Sequence, residues 1–245
     1  MKILLLGDSC YDYYHYGYVN RISPEAPIPI FDFDHVTKKR GMASNVYDNL
    51  KALGADVHIV TSFSENKRRY IDLKSGQQLL RADEKINTET YEDVIGPLYS
   101  DYDAVVISDY NKGFLSYENI EEVIESFHGP IFIDTKKTDL ARFESAIVKI
   151  NELEYERATS FCSSLIVTRG GKNVTYGDDL YYPPKVSVHD VCGAGDTFLA
   201  AVAFEYLRNN DMERAIHFAM KAASVTVQKI GVYAPTLKEI ENDKT

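Results

Sequence analysis

The stretch HDVCGAGDTF, residues 189–198, places an acidic residue, a Gly-Ala-Gly step and a second acidic residue directly before an apolar run. Beyond Phe198 come Leu199, Ala201, Val202, Phe204, Tyr206 and Leu207, nearly all apolar up to Arg208. A helix apolar all round is a buried one, so residues 193–197 are expected at a buried helix's N-terminus. Free backbone N–H groups and the positive end of the dipole make such a terminus an anion site. Gly193 and Gly195 let the backbone approach an anion with no Cβ in the way. Asp196 is awkward beside an anion as a mere neighbour. As a base drawing a proton from a hydroxyl that attacks a phosphoryl group it makes sense. Its plain structural reading is a helix N-cap.

Around this stretch, short apolar runs alternate with segments of helical period. The runs are Ile3–Leu6, Val57–Thr61, Ala104–Ser108, Ile131–Asp134, Ala146–Ile150 and Leu165–Thr168. Most lack polar alternation, as strands buried on both faces do. Between them, Val46, Leu50 and Leu53 recur at helical spacing, as do Ile120, Val123, Ile124 and Phe127 behind the N-cap candidate Ser116. This alternation predicts an α/β fold, a doubly wound, mostly parallel sheet with helices on both faces. Asp8, Asp109, Asp134, Asn151 and Thr168-Arg169-Gly170-Gly171 stand at the strand ends, where such sheets place their ligands. Two segments break the rhythm, 13–34 with its period-two FDFD and 68–82 around the Ser75-Gly76 turn. They read as edge strands of a small second sheet, too small to stand alone, that lies as a lid over one domain spanning 1–245. The polar tail Glu239–Thr245 is expected to fray.

Bulk properties exclude several classes. A net charge of −10 with no basic stripe argues against a nucleic-acid partner. Cys10, Cys162 and Cys192 are odd in number and far apart, and the 6 histidines show no paired spacing. Neither a disulfide framework nor a zinc site follows, and a reducing compartment does. The apolar run after Met1 is too short for a signal h-region or a membrane span. A cytoplasmic protein with no membrane partner is the expectation.

Asp190-Val191-Cys192-Gly193-Ala194-Gly195-Asp196 resembles the second signature of the ribokinase-like (PfkB) carbohydrate kinases, with Cys192 where threonine is more usual. RISPEAP (21–27), GQQLLRADE (76–84), ISDYNKGFLS (107–116), IDTKKTDLARFESA (133–146), NELEYE (151–156) and VTRGGKN (167–173) are similar, in the same order, to the heptose 7-phosphate kinases of that family. The resemblance implies a ribokinase-like fold and an ATP- and Mg²⁺-dependent sugar kinase acting at the anomeric hydroxyl of a sugar phosphate, with room for a monovalent cation. It makes Asp196 the catalytic base and Gly193, Ala194 and Gly195 the anion hole. It puts Asn151, Glu152, Leu153, Glu154, Thr168, Arg169 and Gly170 on the nucleotide side, with Glu154 meeting Mg²⁺ through water. It puts Asp12, Gly41 and Asn45 on the sugar, with Lys136 facing the phosphate-bearing region. A homodimer through the lid sheet is implied too. Plain readings stand beside these: Asp12 as a turn residue, Asn45 as a cap, Lys136 and Arg169 as surface cations, Glu154 as a first-turn carboxylate. The tyrosines of YDYYHYGY (11–18) read as lid or dimer packing.

The pattern also departs from the family. Arg40 stands where a second glycine is usual, able to crowd the sugar or to grip a phosphate. Only Ser64-Glu65-Asn66 separates Phe63 from Lys67, and Arg157–Ser164 replaces a longer helix. Tyr233 stands near the expected adenine pocket where smaller residues are usual. Two alternatives follow: a kinase for a different sugar, or a trimmed relative that binds sugar or nucleotide without turnover, favoured if Tyr233 fills the pocket.

Overall fold

The computed structural model describes residues 1–86, 89–91 and 96–242. Its first strand, β1 (Lys2–Ile22), runs for 21 residues without a break. β2 (Pro29–Met42) returns along it antiparallel. After helix α1 (Ala43–Ala52), strand β3 (Asp56–Asp72) follows β1 in parallel from the Lys2↔Asp56 pair to Gly17↔Asp72. β4 (Gln78–Lys85) closes this edge antiparallel to β3.

The expected separate small sheet is therefore the distal half of the main one. Segments 13–34 and 68–82 are the outer ends of β1 and β3 plus their antiparallel neighbours. The ladder survives the β1–β3 irregularity at Ser9/Cys10. With only Ser64-Glu65-Asn66 between Phe63 and Lys67, no excursion interrupts the pairing, so the two sheets never separate.

The rest follows the predicted rhythm: β5 (Ala104–Asp109), α2 (Tyr117–Ser126), β6 (Ile131–Thr135), β7 (Ile147–Asn151), α3 (Glu152–Arg157), β8 (Leu165–Thr168), β9 (Val174–Tyr176), β10 (Asp179–Tyr181), α4 (Ala194–Asn209), α5 (Met212–Val227) and α6 (Leu237–Asn242). The sheet order is β10-β9-β8-β7-β6-β5-β1-β3-β4, with β2 paired to the distal half of β1. β8, β7, β6, β5, β1 and β3 are mutually parallel. Because side chains alternate along a strand, Ile3 and Leu5 enter one core with Val46, Leu50 and the α4–α5 pair. Leu4 and Leu6 enter the opposite core with Ile120, Val123 and Phe143. That is the double winding the sequence predicts.

Local signals explain the helix ends. Ser116 Oγ accepts the Asn119 N–H at 3.1 Å and caps α2 as expected. α4 is buried from Asp196 through Glu205. The tail departs from expectation: 237–242 form α6 with Ile240 buried, while 243–245 lie outside the described residues. No helix among the described residues is long and apolar enough to cross a membrane.

Candidate functional site

Gly193 starts α4 in the left-handed region, φ 80°, and the helix runs from Ala194. The Gly-Ala-Gly step thus sits where the sequence places it, at the N-terminus of a buried helix. Asp196 is only 5% exposed. Its Oδ2 accepts from Asn45 Nδ2 at 2.8 Å and its Oδ1 from the Tyr110 hydroxyl at 2.9 Å. Burial pushes its carboxyl above the usual carboxylate range; the Asn45 bond opposes this, the Asp134 charge adds to it, and Tyr110 and Lys149 oppose it. A carboxylate with a raised pKa in a cleft is the state expected of a general base.

Beside it opens a cavity of about 730 Å³ at the carboxyl ends of β5 to β8. Its lining includes the polar Lys136, Lys149, Asn151, Thr168 and Asp196 and the apolar Val174, Val186, Val188, Met220 and Val227. Lys149 bonds Asp134 Oδ2 at 2.6 Å, both side chains buried. Its ammonium lies against the Gly-Ala-Gly backbone, since a Cβ on Gly195 would come within 3.1 Å of Nζ. Asn151 caps α3: its side chain accepts the Glu154 N–H at 3.0 Å, and Glu154 Oε2 accepts the Asn151 N–H at 2.8 Å. Glu154 also pairs with Lys136.

On the other side of Asp196 lie the distal strands. Asp12, on β1, is buried and accepts from Arg69 Nε at 3.1 Å. Gly41, at the end of β2, faces the same carboxylate: a Cβ there would stand 2.9 Å from Asp12 Oδ2 and 2.8 Å from Cys10 Sγ. Asn45, in the first turn of α1, joins this side to Asp196.

Residues 144–239 match the model of the pfkB family of carbohydrate kinases. Over 98% of its length the chain is 31% identical to a bifunctional protein HldE of a Nitratiruptor species, covering 64% of that relative. It is 32% identical to the HldE of Sulfurimonas denitrificans, covering 63% of it. Over residues 144–239 the chain is thus similar to the pfkB carbohydrate kinases. It spans less than two thirds of the length of these relatives. The Nitratiruptor match runs over 297 aligned positions against a chain of 245 residues, so the relative carries segments that this domain lacks. Among solved structures, a ribokinase from Thermotoga maritima superposes with a TM-score of 0.72 at 16% identity, covering 98% of this chain and 97% of that one. Phosphofructokinase-2 of Escherichia coli gives 0.71 at 14%, covering 98% and 96%. The fold is ribokinase-like.

Asp196, Gly193, Ala194, Gly195, Lys136, Asn151, Thr168 and Gly170 share the large cavity. Glu154 reaches it through Asn151 and Lys136. Three residues of the nucleotide group stand apart from its walls. Leu153 is exposed, Glu152 pairs with Lys172 at the surface, and Arg169 turns to Asn173 and Thr175. Asp8 and Asp109, read with the crevice, instead buckle the loop after β5. Asp8 Oδ2 accepts the N–H groups of Tyr110 and Lys112, and Asp109 takes the Asn111 N–H, the Thr135 hydroxyl and Lys137.

Arg40 pairs with Asp48, lies 5.3 Å over the Tyr47 ring and lines a small cavity with Lys39 and Asn45. Tyr233 is not a wall of the large cavity, and its hydroxyl donates to Glu239. Tyr110 and Lys149, which the structure brings to Asp196 and to the Gly-Ala-Gly step, are residues that the sequence does not single out. Tyr110 follows a strand like any loop residue. Lys149 did leave a signal, a lone cation inside the run AIVKI, two residues before Asn151 and so on its face.

Proposed function

We propose that the domain transfers the γ-phosphoryl group of ATP to a hydroxyl of a sugar or sugar phosphate, with the anomeric hydroxyl of a heptose 7-phosphate as the preferred acceptor. The observation that carries this reading is the place of Asp196. It sits buried at the N-terminus of α4, on the wall of a roomy cavity lined by both polar and apolar side chains and bonded to Asn45, with Asp12 and Gly41 on the neighbouring strands. The apolar lining suits a nucleobase, and the cations and amides in the same cavity suit its phosphates.

Each carboxylate oxygen has more than one lone-pair site, so Asp196 can accept a proton while Asn45 and Tyr110 hold its plane. The acceptor hydroxyl gives its proton to Asp196 as its oxygen bonds to the γ-phosphorus, and the bond to the bridging oxygen breaks to release ADP. Charge gathering on the transferred oxygens meets the amides of Gly193 and Gly195 and the Lys149 ammonium, while the Ala194 N–H is held by the Val191 carbonyl at 3.3 Å. For Mg²⁺ the fitting feature is Asp134 Oδ1, a buried oxygen on the cavity wall with no hydrogen-bond partner. Glu154 is spoken for by its cap and by Lys136, which suits a contact through water. When bound, Mg²⁺ would neutralise the nucleotide phosphates, keeping most of its oxygen ligands from them and from water.

A homodimer is part of the same reading. β4 is exposed along its whole length, and Phe33, Val36 and Leu80 expose large apolar groups on the distal strands, the edge liability that pairing with a mate removes. A cytoplasmic setting follows from the need for ATP.

The test is ATP consumption coupled to product mass across heptose and hexose phosphates, with Asp196→Asn alongside. Turnover on one sugar that falls by about 10²–10⁴ in the variant supports the reading. A wild-type domain that binds nucleotide yet turns over no sugar refutes it.

A further inference from the structure

The strand registers show a charge pattern that no single segment reveals. Directly paired residues point to the same side of a sheet. Asp12 pairs with Lys39 on β2 and Lys67 on β3; Tyr14 pairs with Arg69; Glu65, Lys67 and Arg69 pair with Lys85, Asp83 and Arg81 on β4. The face of the distal sheet that carries Asp12 and Gly41 thus holds five cations, Lys39, Lys67, Arg69, Arg81 and Lys85, against four carboxylates, Asp12, Glu65, Asp83 and Asp32, the last opposite Tyr18. It is net positive on a chain whose formal charge is −10.

Ion pairs then sort the cations. Arg69 is taken by Asp12, Lys67 by Glu65 and Arg81 by Asp83. Lys85 is exposed on the outermost strand. Lys39 is left: it is half-buried, and among the described residues its Nζ meets a single main-chain oxygen, Val232 O at 3.3 Å, and no carboxylate. A second donor stands beside it. The Tyr14 ring lies 5.7 Å from Lys39 Nζ, and its hydroxyl is buried with no hydrogen-bond partner. Both groups converge on Gly231, φ 72°, where a Cβ would sit 3.0 Å from Lys39 Nζ and 3.5 Å from the Tyr14 hydroxyl. A cavity of about 280 Å³ adjoins, walled by Lys39, Arg40, Asp48, Val232 and Asn45, the residue that holds Asp196.

An ammonium without a counter-ion, a partnerless phenol and a backbone kept clear by a glycine form a site for an anion. A phosphomonoester fits it: it carries a charge of about −1.5 to −2 near pH 7 and three acceptor oxygens, enough for both donors and for the excess charge of the face. We propose that Lys39 and the Tyr14 hydroxyl hold a phosphate already carried by the acceptor sugar, and so make the domain choose sugar phosphates over neutral sugars. This rests on the kinase reading above. Neither residue takes part in the transfer itself; they set which acceptor stays bound long enough to be phosphorylated.

The test is calorimetric titration of the full chain with a heptose 7-phosphate, the same heptose without phosphate, and a heptonic acid. Wild type should bind the phosphate ester about tenfold or more tightly than the neutral sugar, the scale of one charged hydrogen bond. Lys39→Met should collapse that preference while leaving neutral-sugar affinity intact. Lys39→Arg should recover part of it, Tyr14→Phe should lower it by less, and Lys85→Met, on the same face, should not alter it. A Lys39→Met variant that keeps the full preference overturns the proposal while leaving the kinase reading standing. A wild-type preference for the heptonic acid overturns the assignment to phosphate. Binding to none of the three overturns both.

Discussion

Replacing Gly193 by alanine probes the link between backbone conformation and the base. The perturbation has two parts. Position 193 has φ 80°, a conformation costing an L-residue about 1–2 kcal/mol. The new Cβ would also stand 2.7 Å from Asn45 Nδ2, the atom that donates to Asp196 Oδ2 at 2.8 Å. The Asn45 amide has little freedom to retreat, because its Oδ1 accepts from Asn49 Nδ2 at 3.3 Å. Losing a hydrogen bond to a buried carboxylate costs about 1.5–3 kcal/mol, so the two parts together reach about 2.5–5 kcal/mol. If Asn45 yields, the second part appears as lost turnover, on the order of 10²-fold for a misplaced catalytic group. Gly177→Ala is the control: φ is 57° there and no atom lies within 4 Å of the added Cβ, so it should show the strain alone, about 1–2 kcal/mol. Urea unfolding and steady-state kinetics on both variants separate the parts. Gly193→Ala no less stable than Gly177→Ala, with turnover unchanged, would refute the reasoning.

Two further predictions concern residues that the sequence did not single out. Tyr110→Phe removes a donor that favours ionised Asp196. The carboxyl pKa then rises, and the acid limb of the pH profile for kcat moves to higher pH, while Lys136 and Lys67 keep their ring partner; a limb that stays or moves down contradicts the assignment. Lys149→Met strands the buried Asp134 carboxylate and should cost about 3–5 kcal/mol by urea unfolding. Adding Asp134→Asn should restore part of that stability and none of the turnover, since the cation facing the Gly-Ala-Gly backbone is still gone.

Features within a few residues of one another were legible in the sequence. The apolar runs became β1, β3 and β5 to β8 because strands buried on both faces carry their own signature. Ser116 stood as the N-cap of α2, and the Asn151/Glu154 spacing closed as a reciprocal cap on α3. The Gly-Ala-Gly step and Asp196 told of a buried helix start because backbone freedom, dipole and apolar run all lie within ten residues there. Arg40 and Tyr233 were suspicious by identity alone, and their neighbours Asp48 and Glu239 made them ordinary.

What the sequence determined by itself was which residues form strands, where helices begin, and that a Gly-Ala-Gly step with Asp196 opens a buried helix. Tertiary structure alone decided which groups meet. Asp196 joins Asn45 across 151 residues and Tyr110 across 86, and Lys39 proves to lack a counter-ion only once four strands stand in register. Periodicity reports the face a side chain occupies, because that depends on local backbone geometry. The charge opposite it depends on how distant segments pair, and burial then sets how strongly each unpaired group calls for a ligand.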